Sequence, residues 1–166
     1  MKSFLLSIAI FFAALLPLHA QEAAPIVKEL RAILADAGTG FKSYRGEMIE
    51  TDSATGVVYY KSTHTPQASI SGHYLIENNK TAHRFYLIRY DIKAMDAMQL
   101  RIMNVMTQKY MEELNAMAGA GFAGRDYKNA EGADVTEIKD KSGQNILDYQ
   151  SDGDQQLIIV YGTGGK

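Results

Sequence analysis

Ala37-Gly38-Thr39-Gly40-Phe41 and Ala118-Gly119-Ala120-Gly121-Phe122 are two versions of one phrase, and each closes a stretch of helical periodicity. Both sets of glycines follow a helix instead of leading into one. They therefore read as helix C-caps, with glycine in the left-handed conformation, and not as phosphate loops, which need a helix N-terminus aimed at the ligand. In each copy the phenylalanine is expected to fold back beneath the end of its helix, in equivalent buried places.

Outward from these caps, Ile26, Leu30, Ile33, Leu34 and Ala37 mark one face of a helix from Pro25 to Gly38. Met95, Met98, Ile102, Met106, Tyr110, Leu114 and Met117 mark one face of a second helix over about 94–118. Both are amphipathic and need a partner surface. Alternating segments at about 44–52, 56–64, 68–77, 82–91, 133–140, 144–150 and 155–162 supply it, with turns at Asp52-Ser53-Ala54-Thr55-Gly56, Asn78-Asn79 and Ser151-Asp152-Gly153-Asp154.

A second echo pairs Ser71-Gly72 and the run Phe85 to Tyr90 with Ser142-Gly143 and the run Leu157 to Tyr161, at a shorter offset. The fold class that results is α+β: tandem helix-plus-antiparallel-meander units, αββββ-αβββ. Two helices are packed on one face of an antiparallel sheet. The first unit covers 21–91 and the second 92–166, sharing one core. Tandem units of this kind look similar in topology to β-lactamase-inhibitor-like folds; the likeness is one of element order and transfers no functional residue.

Lys2, the apolar run Phe4 to Leu16, Pro17 and the small Ala20 form a charged start, an apolar stretch and a cleavage site. As a helix the run rises only ~20 Å, short of the ~30 Å hydrocarbon core. Residues 1–20 read as a signal peptide cleaved after Ala20, leaving a periplasmic or secreted protein with no membrane span. Without cysteine, stability rests on packing.

The 166 residues carry 17 basic and 19 acidic side chains, a balance unsuited to a nucleic-acid binder. Acids gather late: Asp126 to Asp154 holds eight acids and three bases. No nucleophile elbow is present, and Glu47 and Glu50, three apart in a strand, point to opposite faces. Asp148 to Asp154 resembles part of a calcium loop but has Gln150 and Ile159 where ligands belong, so a turn is the reading. An Asn78-Asn79 two-residue turn pairs Glu77 with Lys80 and Tyr74 with His83. It sets His73 and His83 on opposite faces, unable to share a metal. No catalytic residue, metal ligand or cofactor is assigned. The methionines of the second helix suit core packing first, then an adaptable groove or a Cu(I) site.

In that register Ile70, Tyr74, Ile76, Phe85 and Leu87 share the face read as core. Ser69, Ser71, His73, Arg84, Tyr86, Ile88 and Tyr90 share the other, whose aromatic and arginine content suits a contact surface. The leading expectation is an exported, non-enzymatic protein that binds a macromolecular partner or envelope component through the helix-free sheet face, using His73, Arg84, Tyr86 and Tyr90. A carrier of a small apolar ligand between the Met-rich helix and the sheet, and a small hydrolase assembled from distant residues, are the alternatives.

Overall fold

The computed structural model describes residues 27–64 and 70–162. The expected signal segment 1–20, the tail 163–166 and Ser69 lie outside the described residues. Helix α1 runs over 27–36 and tightens into a 3-10 turn, Ala37–Thr39. Gly40, at φ 70°, ends it: its N–H donates to the Ala37 carbonyl, and the Phe41 N–H donates to that of Asp36. Gly40, not Gly38, is thus the left-handed residue, and Gly121 at φ 100° holds the matching place after the second helix. Phe41 is itself left-handed, at φ 61°.

Helix α2 spans Ala97–Gly119, starting later than the periodicity implied. Asp96 sets the start, its Oδ1 accepting the Met98 and Gln99 N–H groups at 2.9 and 2.8 Å while the Gln99 side chain accepts the Asp96 N–H. This is the reciprocal capping box.

Among the described residues eight strands follow the helices in two groups: β1 (Arg45–Asp52), β2 (Val57–Ser62), β3 (Gly72–Asn78) and β4 (Arg84–Asp91) after α1, then β5 (Ala123–Lys128), β6 (Asp134–Lys139), β7 (Asn145–Ser151) and β8 (Gln155–Gly162) after α2. All pair antiparallel in one sheet of order β1-β2-β3-β4-β8-β7-β6-β5. The protein is mixed α+β, as the periodicities imply. Four strands follow α2 where three were expected. Strand β5 escaped notice because Ala-Gly-Arg-Asp-Tyr-Lys has no apolar alternation; as an edge strand it is exposed nearly throughout and needs none.

The hairpins close through Asx turns. Asp52, Asn129, Asp140 and Asp152 each accept backbone N–H groups two to four residues on, with Asp152 taking those of Asp154 and Gln155, so the Asp148–Asp154 stretch is half strand and half turn. Asn78 likewise accepts the N–H groups of Lys80 and Thr81, while Ala82 turns left-handed at φ 59°. The two-residue turn is therefore replaced by a loop over 79–83. Glu77 pairs with Arg84 and Tyr74 with Leu87. The correction is four residues, an even number, so the sharing of faces along β3 and β4 is unchanged.

One row crosses the whole sheet: Met48, Tyr60, Leu75, Tyr86, Val160, Leu147, Ile138 and Gly124. Its inner members join Ile88, Tyr90 and Ile158 of the same face in a core with Leu30, Ile33 and Ala37 from the first helical segment, and Met103, Met106, Tyr110 and Leu114 from α2. Phe41 is wholly buried there, its ring against Gly162, where a Cβ would come within 2.9 Å of it; Phe122 is only partly buried, so the two are not equivalent. Among the described residues no helix is long and apolar enough to cross a membrane.

Candidate functional site

The four residues assigned to a contact surface do share a face, but it is the core face. His73, Tyr86 and Tyr90 are 7, 0 and 1% exposed. Arg84 lies between the Glu77 carboxylate, 3.4 Å away, and Gly40, where a Cβ would come within 2.5 Å of its guanidinium. Glu77 also pairs with Arg45 at 3.3 Å. The assignment of inner and outer was exchanged because both faces of β3 and β4 are apolar. What decides between them is polar: His73 and Tyr86 find their partners on the core side.

His73 is the centre of a buried polar cluster that the sequence did not disclose. Its Nδ1 lies 3.0 Å from the Tyr86 hydroxyl and its Nε2 2.9 Å from Ser71 Oγ. The Tyr86 hydroxyl also meets Ser62 Oγ at 3.0 Å, and Ser62 accepts the His64 N–H. Glu29 reaches in from α1, with Oε1 3.1 Å from His64 Nε2 and 3.7 Å from His73 Nδ1, neither contact having hydrogen-bonding geometry. Burial holds the Glu29 carboxyl above its ordinary range, against the pull of His64. Burial, with His64 adding to it, lowers His73 to about 4, so its imidazole is neutral at pH 7.

Tyr90 is pushed up to about 12 by burial, and its buried hydroxyl has no hydrogen-bond partner among the described residues. A signal for this cluster stood in α1: Glu29 interrupts the apolar face beside Leu30 and Ile33, where a buried carboxylate demands a partner. His83 stacks edge-on against Phe85, away from His73. Among the described residues no three His, Asp or Glu groups are arranged to hold a metal ion.

The opposite face carries two apolar rows. Tyr59, Ile76, Phe85 and Tyr161 neighbour one another across β2, β3, β4 and β8; Tyr74, Leu87 and Ile159 form the next row. None of the seven belongs to the core. Tyr59 is 37% exposed and the other six are half-buried. Phe85 and Tyr161 meet edge-on at 5.3 Å, and Tyr161 donates to Asp148 at 2.6 Å. Burial raises the Asp148 carboxyl despite that bond.

In α2 the methionine stripe is split: Met103 and Met106 are buried in the core, while Met98 is 73% exposed. Comparison with protein-family models, curated proteins and solved structures gave no match.

Proposed function

We propose that this is an exported protein that binds a macromolecular partner or envelope component through the helix-free face of its sheet, the face of Tyr59, Tyr74, Ile76, Phe85, Leu87, Ile159 and Tyr161. Both helices, on this reading, lie on the other face. The observation that carries it is a contiguous aromatic and aliphatic surface, spread over four neighbouring strands, that has no part in the core. Large apolar patches outside a core mark interaction sites, and tyrosine is among the residues that supply hot spots. The binding residues are thus revised from His73, Arg84, Tyr86 and Tyr90 to this set.

The two halves are duplicated units, related by their common order of a helix and four strands and by Gly40 and Gly121 at their caps. Export rests on the first twenty residues; the intact mass of exported protein should begin at Gln21.

The test is a pull-down from envelope extract with the combined variant Tyr59→Ala, Tyr74→Ala and Phe85→Ala. Truncating a hot spot costs ~2 kcal/mol or more in binding. Loss of the partner with cooperative melting retained supports the reading. Undiminished recovery of the partner by the folded variant refutes it.

A further inference from the structure

We propose that Ser71 is a nucleophile, with His73 Nε2 as its base, Tyr86 as the group that orients the ring and Glu29 as the carboxylate whose charge supports that base, and that it takes an acyl group from small activated esters. The site is on the core face, so it stands or falls separately from the binding surface.

The wiring follows from the hydrogen-bond partners of the ring. Glu29 Oε1 is 3.7 Å from His73 Nδ1, and a carboxylate there favours the tautomer with the proton on Nδ1. That proton is donated to the Tyr86 oxygen, whose own hydroxyl proton goes to Ser62. The Nε2 lone pair is then left to accept the Ser71 hydroxyl proton at 2.9 Å. Nucleophile on one ring nitrogen, orienting groups on the other, and a buried carboxylate near the second make the arrangement by which a serine–histidine pair is activated. Ser71 is the half-buried outer member, one residue ahead of β3, while the His73 side chain behind it is 3% exposed.

In the acylation step the Ser71 Oγ–carbon bond forms and the bond from the carbonyl carbon to the leaving aryloxide breaks. The Oγ proton passes to His73 Nε2 and then to the aryloxide. Glu29 stabilises the transient imidazolium. Water, deprotonated by the same nitrogen, returns the serine and releases the acid.

Incubation of the mature protein with p-nitrophenyl acetate tests this. The expected result is a burst of p-nitrophenolate, with an acetyl group found on Ser71 by peptide mass spectrometry. Ser71→Ala should abolish the burst, and His73→Gln should slow it by about a hundredfold or more, the scale of general-base catalysis. Glu29→Gln should weaken the base, lowering the plateau rate and moving the acid limb of the rate–pH profile to lower pH. A merely structural Glu29 would leave that limb in place. If His73→Gln fails to fold, the parent's rate must still follow one deprotonation on its acid limb. Acetylation confined to lysines or His64, or a Ser71 adduct that forms as fast without His73 in a folded variant, overturns the proposal.

Discussion

Acid should weaken this fold through His73 before it does so through most of its carboxylates. The imidazole has an ordinary value of 6.5 and a folded value of about 4, because burial disfavours its charged form. The unfolded chain therefore binds a proton between these two values and the folded chain does not. Stability from this group is complete above pH 6.5, falls as pH drops through the window, and levels off below about 4. The two values imply a loss of about 2 kcal/mol by pH 5 and about 3 kcal/mol by pH 4.

Glu29 acts with the opposite sign. Its carboxyl is raised, so the folded state gains relative stability as that group protonates, which offsets part of the loss in the parent. Asp36 is lowered because hydrogen bonds from Ser43 and Thr39 together outweigh its desolvation, and Asp52, Asp140 and Asp152 are lowered chiefly by hydrogen bonds; their contributions disappear only at lower pH. Urea unfolding at pH 7 and pH 5, for the parent and for His73→Gln, isolates the imidazole. The variant is less stable at pH 7 because it loses packing and partners, but its stability should change less between the two pH values, by about 2 kcal/mol. An equal pH dependence in the two proteins would refute the account of His73 as a buried neutral base.

Phe41→Ala should cost ~3–5 kcal/mol, as expected for a fully buried aromatic, whereas Phe122→Ala should cost less than half of that; thermal or urea melts of both would show it. Replacing Asp96 with Ala should remove about 1 kcal/mol by leaving two N–H groups of the first turn of α2 without their acceptor, and amide exchange should quicken there first.

The parts of the fold that were legible in the sequence are those fixed by local rules. Glycine at a cap, Asp or Asn at a turn, and alternation along β2, β3, β4 and β8 each act within a few residues. The division of β3 and β4 into two faces survived even a four-residue error in their pairing. Which face is inner was not legible, since Phe85-Tyr86-Leu87-Ile88 is apolar on both sides. The answer depends on Glu29 and Ser62, which reach His73 and Tyr86 from other elements, and on Ser71 just ahead of β3. The site was hidden for the same reason: its members are ordinary polar residues until the chain folds, and only Glu29 on the apolar side of α1 hinted at it. Strand β5 was missed because an exposed edge has no inner face to advertise.

The strand order has a consequence for how the chain is made. The meanders are joined by the last strand of each, β4 on β8, and Arg84 pairs with Gly162 at the far end of the sequence. Until β8 emerges, β4 is an unpaired edge of apolar residues on both sides, the kind of template that recruits other chains. A contact so distant in sequence also forms slowly, because the loop must close before the pairing stabilises it. Export in an unfolded state, followed by release of the whole chain at once, would shorten the time that this edge stands open. A product truncated before Gln155 would leave it open permanently, and should aggregate instead of persisting as a half-domain.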